Sequence, residues 1–118
     1  MTPTASGFDL LTQVMTAAGL RHRVHAQNVA NVNTPGYKRL EVAFETDLAK
    51  ALASQPGGST TAVRPRITEG DGPERVDGNN VDIDAEMNAL SKNALLYQAA
   101  AQILTSRLGS LRTAIAGR

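Results

Sequence analysis

His22 and His25 stand three residues apart, a spacing that puts both imidazoles on one face of a helix, where such a pair can ligate zinc. The run Asp77-Gly78-Asn79-Asn80-Val81-Asp82-Ile83-Asp84 carries the side-chain oxygens that calcium prefers. Neither pattern closes. The histidines have no carboxylate or cysteine at helical spacing beside them, because Asp9 is several turns away, so they read as solvated or interface histidines. Arg21 and Arg23 read likewise as a solvated face. In the acidic run Val81 stands where a third oxygen ligand belongs, Asp82 replaces the loop glycine, and Asn88 replaces the closing glutamate. A turn leading into a helix fits better, with Asp82, Asp84 and Glu86 where they favour the helix dipole. No nucleophile elbow, Walker loop or Gly-x-Gly-x-x-Gly pattern occurs. The chain therefore reads as a non-enzyme, with no catalytic, cofactor-binding or metal residue expected.

A third constellation lies in Asn28-Val29-Ala30-Asn31-Val32-Asn33-Thr34-Pro35-Gly36-Tyr37-Lys38. Asn-x-x-Asn spacing places Asn28 and Asn31 on one helix face, where their amides are expected to bond a neighbouring helix or fix its register. Pro35 disfavours helical geometry at Thr34, and Pro35-Gly36 suits the centre of a type II turn. Thr34, Pro35, Gly36 and Tyr37 are thus expected to turn the chain out of the helical layer.

This string resembles the N-terminal signature of the rod and hook class of bacterial flagellar axial proteins. The Asp77–Asp84 run followed by Asn93-Ala94-Leu95-Leu96-Tyr97-Gln98-Ala99 resembles the C-terminal half of proximal-rod members of that family. The resemblance spans about residues 8–47 and 77–116. Val29 and Val32-Asn33 depart from the proximal-rod wording and bring the segment nearer the distal rod and hook members. The resemblance implies a structural subunit of the basal-body rod in the periplasmic space, self-assembling into the torque-transmitting drive shaft. It implies as partners copies of itself, other flagellar rod proteins, the rod–inner-ring (MS-ring) adaptor and the flagellar type III export apparatus, with export that needs no cleaved signal peptide.

The elements that must carry these residues are helical. An N-terminal helix is expected over 6–33, with Ser6 as its cap and Asp9 completing a capping box. Leu10, Leu11, Val14, Met15, Ala17, Ala18, Val24, Val29 and Val32 give it one broad apolar face, interrupted by Arg21, His25 and Asn28. A C-terminal helix is expected over 82–116. Its seam of Ile83, Met87, Leu90, Ala94, Tyr97, Ala101, Leu104, Leu108, Leu111 and Ile115 steps alternately by four and three, the 3.5-residue period of a coiled coil. Between them, 34–80 is expected to hold a turn, a short helix through Val42–Leu52, a flexible Gly57–Thr61 stretch, and then either a small β-hairpin pairing Val63–Thr68 with Glu74–Val76 or a disordered segment. The expected fold is mainly α. One rod-subunit domain spans 1–118, with two long terminal helices packed as a coiled-coil hairpin around an irregular middle.

Composition narrows the partners. The net charge of +1 is spread without like-charge blocks, so no nucleic-acid partner is expected. No helix face concentrates lysine and arginine, and no apolar run approaches the ~18 residues of a membrane span, so no direct membrane insertion is expected. Met1–Gly7 lacks the pattern of a cleaved signal, and cysteine is absent. Aromatic residues are 3% and much of the apolar count is alanine, so two such helices make a marginal isolated core. Leu20, Leu95, Leu96 and Ile103 lie off the seam and need another surface. The helices are expected to complete their burial against neighbouring subunits. The seam by itself also permits a soluble coiled-coil adaptor or regulator, forming a discrete dimer or helical bundle.

Overall fold

The structure, a computed structural model, describes residues 3–54 and 63–117. The Gly57–Thr61 stretch lies outside them. Helix α1 runs Pro3–Ala30, beginning three residues before the expected Ser6, which lies inside the helix instead of capping it. Proline suits a first turn, where its missing N–H would have no helical partner anyway. Regular helix stops at Ala30, and residues 31–33 form turns instead of continuing the helix to 33. The turn that follows is the expected one: Tyr37 N–H donates to Thr34 C=O at 3.2 Å, with Pro35 and a left-handed Gly36 (φ 75°) at its centre.

Strand β1 (Leu40–Ala43) leaves this turn and leads through the buried Phe44 into helix α2 (Glu45–Ser54). Strand β2 (Arg66–Glu69) returns antiparallel to β1, with Leu40 opposite Glu69 and Ala43 opposite Arg66. A forked pair from Arg66 to Asp47, at 2.9 and 3.3 Å, ties β2 to α2. The expected hairpin partner is therefore corrected: 66–69 pairs with 40–43, not with Glu74–Val76. Arg75 N–H is already committed to Asn79 C=O within its own turn, and β1, fixed against α1, offers the free edge.

Helix α3 runs Ile83–Ala116. Asp82 caps its start by accepting from the N–H groups of Asp84 and Ala85, and Gly117 (φ 71°) closes its end on Ala114 C=O. It lies antiparallel along α1 as a hairpin. The molecule measures 64 × 32 × 14 Å, so its thinnest dimension is little more than one helix. The buried apolar residues among those described are few and mostly small: Ala17, Ala18, Val24, Phe44, Val81 and Ala100. The largest fully buried side chains are polar: Glu86, Asn28 and Asn79.

Two glycines separate backbone from packing effects. Gly36→Ala puts a Cβ on left-handed backbone and should lower the unfolding free energy by about 1 kcal/mol. Gly19→Ala lies within α1 with open space around it and should raise it by up to about 1 kcal/mol. Opposite shifts of the thermal midpoint check both.

Candidate functional site

The buried polar residues converge where the end of α1, the start of β1 and the start of α3 meet. Asn28 is 0% exposed, and its amide replaces a strand partner for Leu40. Its Nδ2 donates to Leu40 C=O at 2.8 Å, and its Oδ1 accepts from Leu40 N–H at 2.9 Å. The same Oδ1 accepts from the Tyr37 hydroxyl at 3.0 Å. One asparagine thus holds the chain that leaves the Pro35-Gly36 turn against α1. Asn31 acts locally, donating to Gln27 C=O at 2.9 Å and accepting from the Thr34 hydroxyl at 3.1 Å. Both amides are engaged inside the chain. Pro35 and Gly36 are exposed at the turn, and Gly36 N–H donates to Asp77 C=O at 2.8 Å.

The Asp77–Val81 loop closes the junction from the other side. Asn79 Nδ2 lies within donating distance of three carbonyls, Asn31 at 2.9 Å, Val32 at 3.1 Å and Thr34 at 2.8 Å. The Asn31 and Thr34 oxygens also accept backbone N–H groups of the turn, from Thr34 and Tyr37, so the Asn79 amide gives each a second bond. Asn79 Oδ1 accepts from Val81 N–H, and Asn80 Oδ1 accepts from Arg39 N–H at 2.7 Å. Arg75 donates to Val32 C=O and to Val81 C=O. The run that carries calcium-like residue types is thus a hydrogen-bonded cap over the end of α1.

Glu86 sits at the centre, 1% exposed. His25 Nδ1 lies 2.6 Å from its Oε2, and Arg39 Nε donates to its Oε1 at 2.9 Å. A carboxylate only accepts, so the proton of that contact belongs on Nδ1. Burial pushes the Glu86 carboxyl up. The bonds from His25 and Arg39, with the neighbouring Asn28 amide, outweigh this and hold it below its usual value. One heptad further along α3, Asn93 Nδ2 donates to Ala18 C=O at 2.7 Å, while its own Oδ1 is enclosed without a partner. His25 and Ala18 are also seven residues apart. The two polar contacts therefore set a single antiparallel register between α1 and α3.

The α3 stripe that faces α1 is Glu86, Asn93 and Ala100, each one position before the seam residues Met87, Ala94 and Ala101. Leu90, Ala101 and Leu104 are half-buried. The other seam residues stay exposed: Met87 50%, Leu108 51% and Ile115 85%, with Ile83, Ala94, Tyr97 and Leu111 also open. His22 is exposed, but His25 is buried on Glu86, so the reading of both as solvated or interface residues is corrected for His25. Among the described residues, no three histidine, cysteine or acidic side chains converge as metal ligands. Sequence reasoning missed Glu86, Arg39, Arg75, Asn79, Asn80 and Asn93 as structural groups. The heptad spacing of Glu86, Asn93 and Ala100 beside an apolar seam was the available signal.

No protein-family model matches the chain. Curated relatives do. The flagellar basal body rod protein FlgB of Borrelia hermsii is 33% identical over 108 residues, covering 75% of this chain and 80% of its own. FlgB of Bacillus subtilis is 28% identical over 91% of each chain. FlgB of Salmonella typhimurium is 29% identical over 82% of this chain and 83% of its own.

Asn28→Ala leaves both Leu40 backbone groups without their partners and should cost about 1–3 kcal/mol in a denaturant titration. The Glu86 carboxyl is held below its unfolded value. Its contribution is thus complete above the ordinary carboxylate range of about 4.3 and disappears as pH falls through the folded value. Glu86→Gln should flatten that acid limb of stability against pH. At pH 7 it should cost about 1.5–3 kcal/mol, because His25 and Arg39 lose a charged acceptor while Arg39 keeps its pair with Glu41.

Proposed function

The chain belongs to the FlgB family of flagellar basal body rod proteins, and from that premise we propose that it builds the rod by packing its terminal helices against neighbouring subunits. It is a component of the flagellar basal body rod. Its site is an assembly surface held in shape by the polar junction. In this reading the subunit works in the periplasmic part of the drive shaft and passes torque through side-by-side helical contacts. Its partners are further copies, other rod proteins and the MS-ring adaptor at the base, and it reaches them through the type III export apparatus.

One observation carries the reading: the hairpin is a single layer whose apolar side chains open on both sides of the α1–α3 contact. One groove is lined by Gly19, His22, Ala94 and Tyr97, and the other by Ala89, Lys92 and Leu96. Ile103 and Leu95 add to the uncovered area at 47% and 68% exposure. A discrete two-fold adaptor would cover one side and leave the other bare. A head-to-tail assembly covers both, each subunit offering one side to the neighbour on its left and the other to the neighbour on its right. Closely packed helices also give the stiffness that torque transmission needs. The polar junction contributes by fixing the angle at which the β1–α2–β2 segment leaves the helical layer.

Replacing Leu108 and Leu111 together with Asp changes only side chains that are open in the single chain. Helical circular dichroism of the purified variant should persist. Burying two carboxylates at a subunit contact should reduce rod incorporation more than about tenfold and abolish swimming. Normal motility with the double variant as sole copy would contradict the assembly reading.

A further inference from the structure

The two sides of the α1–α3 layer differ in shape, and one fits the other. On one side a groove of about 360 Å³ runs between the helices, where Ala18, Gly19 and Ala94 leave little side chain beside Tyr97. It continues along the layer past Thr12 and Leu104. A Cβ placed on Gly19 would have nothing within 4 Å. On the other side Leu96 and Ile103 stand out from α3, 40% and 47% exposed. They are seven residues apart, about 10 Å along the helix, and so are Thr12 and Gly19 on α1. Two projecting positions therefore match two low ones, as ridges match grooves between packed helices. The register set by His25 on Glu86 and by Asn93 on Ala18 puts Gly19 level with Lys92 and Thr12 level with Ala99. A parallel neighbour displaced by one helical turn toward the start of α3, about 6 Å, brings its Leu96 over Gly19 and its Ile103 over Thr12.

Charge follows the same placement. Asp84 lies on the stripe of Gln98, two heptads earlier, and so borders the groove side, while Lys92 borders the other side with Leu96. Arg23 also borders the groove side, and Glu45 is held on the other side by Arg21. Asp84, Lys92 and Arg23 are exposed, with no ion pair among the described residues. The same one-turn displacement sets the neighbour's Lys92 beside Asp84 and its Glu45 beside Arg23. A neighbour turned antiparallel about the Leu96 contact would carry its Lys92 about 18 Å along the axis from Asp84.

We propose that adjacent copies of this chain in the rod pack ridge into groove, with Leu96 and Ile103 of one copy seated over Gly19 and Thr12 of the next. This rests on the rod reading and names which sides of the layer meet, and in which direction. Gly19 then has a role. A glycine inside a helix is about 1 kcal/mol worse than alanine, and here its missing side chain leaves room for the neighbour's leucine.

The chain has no cysteine, so introduced cysteines report cleanly. Within one chain Gly19 and Leu96 sit on different helices and a turn apart in height, roughly 10 Å or more, which no disulfide spans. In basal bodies purified from cells with the variant as sole copy, Gly19→Cys with Leu96→Cys should therefore crosslink one copy to the next on oxidation. Gly19→Cys with Leu95→Cys should not, because Leu95 points away from the contact. Gly19→Leu fills the groove from open space and should lower rod incorporation more than about tenfold. Adding Leu96→Ala should restore it to within about threefold, a rescue that a role confined to the single chain does not give. Basal bodies that contain the cysteine variant without a copy-to-copy crosslink would overturn the proposal, as would a crosslink to a different protein or no rescue by Leu96→Ala. Absence of the unaltered chain from purified basal bodies would sink the rod reading itself, so the two failures are told apart.

Discussion

A carboxylate that is 1% exposed in a layer one helix thick must be paired, and the pairing of Glu86 organises the rest of this molecule. His25 reaches it from α1, and Arg39 reaches it from the segment that becomes β1. Satisfying one buried charge therefore brings together three parts of the chain far apart in sequence. Asn28 and Asn79 then finish the junction by bonding the outer edge of β1 and the carbonyls at the end of α1. The contribution is to geometry more than to net stability, because a paired buried ion gains little over a well-packed apolar side chain. What it specifies is register: only one alignment of α1 and α3 puts His25 on Glu86 and Ala18 C=O on Asn93.

That arrangement inverts the usual division between inside and outside. The largest fully enclosed side chains are Glu86, Asn28 and Asn79, while Leu95, Leu108 and Ile115 face outward. A free-standing domain of this size would hide such leucines. The proposed assembly gives a reason to keep them open, since contacts between subunits would supply the apolar burial that the single chain lacks. On the proposed reading the polar junction is the part that the chain completes alone, and assembly would complete the apolar burial.

The long helices were legible because their periodicity extends over many turns, and the Pro35-Gly36 turn because its φ requirement is local. The short elements were less so. The 66–69 strand was visible as a β-prone run, but its partner was not, since pairing with Leu40 depends on Asn28 clamping that residue to α1 from twelve positions away. Asn28 itself was singled out for bonding between helices, whereas its amide serves the chain's own strand. Glu86 looked like an ordinary first-turn acid, and nothing local distinguishes a solvated glutamate from one that awaits a histidine sixty-one residues earlier. The stripe facing α1 was missed by one residue because the apolar seam gives the stronger signal, and apolar character marks what will be buried somewhere, without saying by which chain.

The central claim is that the interior completed by the single chain is the polar junction, and that its apolar α3 seam is covered by other subunits in the rod. A density map of the assembled rod tests this most directly. The account predicts helices of adjacent subunits lying over Leu108, Leu111 and Tyr97, with the Asn28–Leu40 and His25–Glu86 contacts unchanged within each subunit. A rod in which that seam faces solvent, or in which Glu86 is paired by a neighbouring subunit instead of by His25 of its own chain, would contradict it.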